Sequence, residues 1–447
     1  MHNCKGSKIF GSIVRFQFMR GLIKILCTVI AASACLTACI SDEISSSSSD
    51  RPEFSSDSLR FGQVWMGETS PAVAVTVYNR CDKVMRITDV SVSGVRGADV
   101  RLNVDGFSGT AFHDLDIRPG DSIIVLADVL PEAPVIGGRI DFSVNGTVTS
   151  LPFVGEALDP LILRDVTVTA DTRLEAGAIV RVFGCLTVAD GATLLIEEGA
   201  SVYFHDGASL CVAGRLVAQG TPDAQIKLCG DRLGNVVTSI PFDIIPGQWG
   251  GVSVEGGSVD MKCVNVFNPV VALKCGEEAE VSLDNCRLTN ASQRVVDAAS
   301  SCIEAVGCEF SSSPDGVVVL SGGRASFGRC TFASDYLFAA STGALLQLSD
   351  EATVEVGESI FFGSCPDLSP ANPSGALFER CTFRSHGSDD NMFVGCLWNC
   401  DPLFDVDAGR YVFDYRLKQD SPARAILCGV RTDRYGVSGS LPGAYNS

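Results

Sequence analysis

The best local candidate for bond-cleaving chemistry on this chain is Ser385-His386-Gly387-Ser388-Asp389-Asp390-Asn391. Cleavage of a glycosidic bond needs two or three carboxylates set around it, one protonated and one ionised. Asp389 and Asp390, with His386 beside them, are therefore the candidate catalytic residues; a solvated polar turn would account for the same seven residues without catalysis. Proton abstraction next to a uronate calls instead for a lysine or arginine base, and the solenoid half of the chain has only four lysines, Lys227, Lys262, Lys274 and Lys418, and no evident basic cluster. His205 follows an inward-reading Phe204 and so points outward, alone. Trp249 and Trp398 could stack on sugars, but both stand at positions that read as structural. Cys396-x-x-x-Cys400 lacks the second ligand pair of a zinc site, so no metal is expected. No cofactor is expected either, since no phosphate loop, nucleophile elbow or dinucleotide fingerprint stands in a suitable context.

The elements that must position these groups are announced by a repeat. The phrase apolar-x-apolar-x-x-small-x-apolar recurs seven times, mostly 22 residues apart. It begins at Val259, Val281, Ile303 and Ala325, resumes after a seven-residue insertion at Val354 and Ala376, and ends shortened at Asn391. A fixed beat of this length means a solenoid whose coils bury their core only against neighbouring coils. An earlier beat of eight, Asp190-Gly191-Ala192, Glu198-Gly199-Ala200 and Asp206-Gly207-Ala208, precedes alternating stretches. Three sides of eight residues give a coil close to the later 22, so both beats describe a three-sided coil of strands with glycine-assisted corners.

Within the later phrase the chain must bend between its two apolar pairs. Asn285, Gly307 and Gly395 suit a left-handed corner there, whereas Arg329, Glu358 and Arg380 do not, which predicts a bend that is not uniform. Cys286, Cys308 and Cys330, continued by Cys381 and Cys396, fall on one inward column, expected as a ladder of buried thiols rather than disulfides or a metal site. The stretches that break the beat, 230–248, 334–350 and 364–374, are the candidate contact regions, because solenoid insertions project as loops.

Over residues 159–447 the chain resembles right-handed parallel β-helix proteins, with space for about ten coils. The resemblance is carried by Gly184 to Thr221, Trp249-Gly250-Gly251-Val252, the Cys-x-Phe rungs and the tail. That tail, Asp401-Pro402-Leu403-Phe404, Asp414-Tyr415-Arg416-Leu417, Ser421-Pro422-Ala423 and Pro442-Gly443-Ala444-Tyr445, is similar to the end phrase of bacterial secreted β-helices and is expected as a C-terminal cap. Many proteins of this pectate-lyase-like fold cut polysaccharides. The His-Gly and Asp-Asp of the 385–391 loop resemble elements of the polygalacturonase family, but there they stand on different coils.

Residues 55–158 show short strands of period two: Val73, Val75 and Val77; then Ile140, Phe142 and Val144, leading into Asn145-Gly146, a preferred type I′ hairpin pair, with Val148, Leu151 and Phe153 following. About 100 such residues suggest a β-sandwich. Leu59-Arg60-Phe61-Gly62-Gln63-Val64 with Gly67, Val77-Tyr78-Asn79 and Phe153-Val154-Gly155-Glu156 resemble the immunoglobulin-like modules of the ASH and major sperm protein family, which implies a spacer or protein-contact module. His113, alone in this segment, reads as an exposed loop residue.

Residues 1–38 carry five basic and no acidic residues ahead of and within a short apolar run, the form of an export signal, with Met1 or Met19 as its start. Leu36-Thr37-Ala38-Cys39 resembles the lipobox of bacterial lipoproteins, which implies acylation of Cys39 and anchoring in the outer membrane of a Gram-negative cell. Residues 39–54, with Asp42, Glu43 and five serines, read as a disordered tether. The early acids resemble a surface-export tag, with the periplasmic face as the alternative. Loss of the signal takes the formal charge from −19 to −24, which disfavours nucleic acid as a partner. Of 19 cysteines, 15 remain after cleavage and acylation, an odd number. These readings lead to an all-β, surface-exposed lipoprotein whose β-helix displays loops to a polysaccharide or surface protein without catalysis; the alternative is a polysaccharide hydrolase or lyase on the same scaffold.

Overall fold

The computed structural model describes residues 43–237 and 240–446, so Cys39 and the signal segment lie outside the described residues. They divide into two compact units that change over between Ala157 and Leu158, with Gln63–Trp65 counted in the second. Among the described residues no helix is long and apolar enough to cross a membrane.

The first unit is a sandwich of two five-stranded antiparallel sheets. The alternating residues line its core: Val75, Val77, Ile140, Phe142, Val144, Leu151 and Phe153 are buried, and Phe54 of one sheet meets Phe142 of the other at 5.1 Å. Val148 faces outward instead. Asn145 and Gly146 both take positive φ, as a type I′ turn requires. His113 is exposed but lies on the strand Ala111–Ile117, 3.2 Å from Asp89. The serine run departs from the expected tether from Glu43 onward. Val84 N–H donates to Glu43 O at 3.0 Å, Ser45 N–H donates to Val84 O at 2.8 Å, and Asn145 Nδ2 donates to Ser47 O at 2.9 Å. These hydrogen bonds to the sandwich hold a segment that has little apolar surface to bury.

The second unit is the three-sided parallel β-helix. Sheet 1 has ten strands from Leu161–Arg164 to Thr382–Phe383, sheet 2 nine from Thr167–Val168 to Leu368–Ser369, and sheet 3 ten from Thr172–Leu174 to Phe393–Val394. The beat of eight walks round the coil: Thr193–Ile196 joins sheet 3, Ser201–Phe204 sheet 1 and Ser209–Val212 sheet 2. Ala192, Ala200 and Ala208, each after its glycine, are buried.

The bend inside the later phrase is uniform, contrary to expectation. Cys263, Asn285, Gly307, Arg329, Glu358, Arg380 and Gly395 all take φ between 50° and 65°. Five of the seven are not glycine, and each such residue costs on the order of 1–2 kcal/mol in this conformation. The stacking of coils offsets that cost. Each corner N–H from Cys263 to Arg380 donates to a carbonyl of the following coil at 2.8–3.0 Å, as Arg329 does to Gly357 and Arg380 to Val394.

Inward residues form files. Cys286, Cys308, Cys330 and Cys381 are fully buried, and burial raises the pKa of Cys286, Cys308 and Cys381 well above the ordinary thiol value. Their thiols turn to nearby carbonyls: Cys286 Sγ donates to Met261 O at 3.3 Å and Cys330 Sγ to Ala305 O at 3.5 Å. All 15 cysteines of the described residues are free. On sheet 1, Phe310, Phe332, Phe361 and Phe383 pair in register and stack with centroids 5.5, 4.5 and 5.0 Å apart, and Trp398 continues the file at 4.8 Å.

The tail does more than cap the last coil. It returns along the outer face of sheet 1, whose outward column runs Asn265, Arg287, Glu309, Thr331, Ile360 and Thr382. Arg434 bonds Asn265, Arg431 bonds Asp284 and Asn285, and Tyr445 bonds Glu309. Ala444 N–H donates to Thr331 Oγ1 at 3.0 Å, and Gly443 N–H to Glu358 O at 2.8 Å. Five members of this column are buried, and Arg287 is partly so.

Candidate functional site

Where the beat breaks, the second unit opens a cleft of about 300 Å³. Its floor is the outer face of sheet 1 and the corner beyond it: Phe267, Arg287, Thr289, Asn268, Asn290 and Ser312. Three departures from the repeat supply its walls. The 230–248 insertion brings Asp243 and Ile244, the 334–350 insertion brings Asp335, Leu337 and Phe338, and the tail brings Tyr411 and Phe413. The 364–374 insertion contributes none of the lining.

The corner is built by residues that tolerate a left-handed backbone. Asn268, Asn290 and Ser312 stand 22 residues apart with φ of 60°, 59° and 61°. Asn290 Nδ2 donates to Asn268 Oδ1 at 2.9 Å and to Ile244 O at 2.7 Å, tying the first insertion to the stacked coils. That insertion turns through Phe242–Ile244, where Gln248 Nε2 donates to Phe242 O and Ile245 O. In the tail, Asp407 caps the turn before Tyr411 through Gly409 N–H and Arg410 N–H.

Charge in the cleft is set by burial and by one ion pair. Arg287 Nε lies 2.9 Å from Glu309 Oε1. Burial alone would depress the Arg287 pKa; the adjoining carboxylate outweighs it and holds the guanidinium charged. Burial pushes the Asp335 carboxyl above the usual range, against a weaker opposing hydrogen bond from Tyr415 OH at 3.3 Å. Aromatic rings beside carboxylates, amides and a guanidinium suit a polyhydroxylated ring, which stacks its apolar face and shares its hydroxyls with polar groups.

The candidates read from the sequence lie elsewhere. Asp389 accepts from Gly395 N–H at 2.6 Å, Cys396 N–H at 3.2 Å and Trp398 Nε1 at 3.2 Å. Asp390 accepts from Met392 N–H at 2.7 Å and Phe393 N–H at 2.9 Å. Both carboxylates fold their own loop over Trp398, and His386 beside them is exposed. None of the three lines the cleft. Trp249 is buried, stacks on Phe204 at 4.2 Å and donates to Phe267 O. His205 points outward but has a partner: Asp231 Oδ2 lies 2.9 Å from its Nδ1 and 2.7 Å from Arg181 Nε. Among the described residues no cluster of three or more His, Cys, Asp or Glu could hold a metal. Asp243, Asp335 and Tyr411 were not singled out by sequence, since each sits in aperiodic chain. Beside the broken beat that marked 230–248 and 334–350, a further signal was the 22-residue spacing of Asn268, Asn290 and Ser312.

No protein-family model matches this chain, and no curated protein does. Among solved structures it is similar to a family 123 glycoside hydrolase from Clostridium perfringens, described for glycolipid glycan hydrolysis, at 10% identity and a TM-score of 0.19. The match covers 26% of this chain and 30% of that enzyme. The chain thus spans less than a third of the enzyme's length, and so slight a likeness bears on neither fold nor function.

Proposed function

We propose that this protein binds a glycan in the cleft between the two insertions and the tail. The single observation behind this reading is that three separate departures from a strict repeat meet at one concave site, lining it with Phe338, Tyr411 and Phe413 as well as Asn290, Asp243 and Asp335. A second reading, glycoside hydrolysis, is favoured by Asp335, since burial moves its carboxyl pKa upward, the direction a general acid needs. Incubating the full chain with a panel of host and plant glycans, scored for retention and for new reducing ends, separates the two. Retention without new ends is expected, and Phe338→Ala or Asn290→Ala should weaken it about tenfold, worth about 1.4 kcal/mol. New reducing ends that vanish in Asp335→Asn would replace binding with hydrolysis; absence of both signals would sink the cleft as a glycan site.

We also propose that Cys39 carries the lipid anchor of an outer-membrane protein exposed at the cell surface, with the sandwich as an immunoglobulin-like spacer. The lipobox resemblance and the charge pattern of residues 1–38 support this. Because Glu43 is already bonded to the sandwich, only Ile40, Ser41 and Asp42 would separate body from anchor, about 10 Å fully extended. Cys39→Ser should move the protein from the membrane fraction to the soluble one. Unchanged membrane association would refute the anchor.

A further inference from the structure

We infer that the cleft selects an uncharged glycan and excludes the same glycan carrying carboxylates, a selectivity that rests on the glycan reading above. Three charged side chains line the cleft: Arg287 on its floor, Asp243 on the first insertion and Asp335 on the second. Lys227 and Arg232 line the neighbouring pocket along the same sheet and no part of this one.

Arg287 is the one cation among the lining residues, and its charge is already matched. Its Nε donates to Glu309 Oε1 at 2.9 Å. Glu309 is 1% exposed and lies beneath the floor, where Ser311 Oγ and the Tyr445 hydroxyl also hold it. The pair is neutral as a unit, so the guanidinium offers hydrogen bonds without offering net charge. Neither of its Nη atoms has a hydrogen-bond partner among the described residues, which leaves both for an acceptor in the cleft. Beside it, Thr289 Oγ1 accepts from Ser311 Oγ at 2.7 Å, which leaves its own proton for a second acceptor. Sugar hydroxyls and ring oxygens meet these donors without bringing a charge.

The two aspartates lead to the same selection. Asp243 is exposed and has no hydrogen-bond or ion-pair partner among the described residues, and Asp335 accepts from the Tyr415 hydroxyl at 3.3 Å. An ionised carboxylate accepts hydrogen bonds and donates none. A ligand hydroxyl can therefore donate to Asp243 or Asp335 while another on the same ring accepts from Arg287. A ligand carboxylate can serve Arg287 alone, and it sets a like charge beside the aspartates, which disfavours binding most at low salt. With Arg287 cancelled by Glu309, the cleft holds surplus negative charge on a chain whose formal charge is −19. Even with Asp335 protonated, the direction in which its burial pushes it, Asp243 keeps that surplus negative.

The test presents amylose, β-glucan, mannan, galactan, mucin glycans and polygalacturonate to the full chain, each in two forms. One form carries carboxylates, introduced by C6 oxidation where they are not native; the other is neutral, with its carboxyls reduced to hydroxyls. Every glycan retained should bind about tenfold more tightly in its neutral form. Asp243→Asn should narrow that gap about threefold, and so should raising the salt from about 0.02 to about 0.5 M. Exclusion by shape would respond to neither. Glu309→Gln, which strips Arg287 of its counter-charge, should admit the carboxylate form; should that variant not fold, Asp243→Asn and the salt series decide. A carboxylate form retained as tightly as the neutral one, or a gap that neither Asp243→Asn nor salt moves, overturns the selectivity and leaves the glycan reading standing. Retention of no form of any glycan overturns both.

Discussion

Glu309→Ala is expected to destabilise the β-helix by about 3–5 kcal/mol, the range for removing one partner of a buried ion pair. Glu309 is 1% exposed and holds three groups at once: Arg287 at 2.9 Å, Ser311 Oγ at 2.6 Å and the Tyr445 hydroxyl. Its loss leaves a guanidinium without its counter-charge and the Tyr445 hydroxyl without this acceptor, whereas Ser311 Oγ keeps Thr289 Oγ1 at 2.7 Å. Arg287→Met combined with Glu309→Leu should recover much of the loss, since apolar replacement of both partners removes the desolvation penalty. Denaturant titration followed by far-ultraviolet circular dichroism checks both, with exposed Glu304→Ala as the control expected within about 0.5 kcal/mol. A loss at Glu309 no greater than the control would mean that the tail does not depend on this contact.

Phe361→Ala should cost about as much, 3–5 kcal/mol, by a different route. The ring is fully buried between Phe332 at 4.5 Å and Phe383 at 5.0 Å, with Phe378 edge-on at 6.1 Å. Truncation opens a cavity in a file whose members are fixed by strand register, so neighbouring coils collapse into it poorly. Phe361→Leu, which keeps more of the volume, should lose roughly half as much. Hydrogen exchange distinguishes a local effect from a global one: amides of Val354–Phe383 should lose protection before those of Thr193–Val212. Equal loss in both stretches would argue against the file as a local clamp.

The inward half of the β-helix was legible because its physics is periodic. Every apolar position of the phrase from Val259 to Phe383 is buried, as are the cysteines of its small position. Corner conformation was not legible at Arg329, Glu358 and Arg380, where intrinsic preference opposes φ near 50° and coil-to-coil hydrogen bonding overrides it. The covering of the outward column of sheet 1 was not legible either. Arg287, Glu309 and Thr331 sit at the polar position of the phrase, and nothing local tells that a segment more than a hundred residues later covers them. The cleft was half legible: two of the three insertions named as contact regions line it, but aperiodic chain does not reveal which side chains meet.

The returning tail changes how damage would spread. In an ordinary solenoid a break at one terminus frays the nearest coils and stops there, because each layer touches only its neighbours. Here the final residues fasten layers as far back as Gln225 and Asn265 to layers as late as Glu358. A proteolytic nick near Leu427, which is exposed, would therefore loosen the midsection first, and during synthesis the middle layers stay unfastened until residues 431–446 have been made.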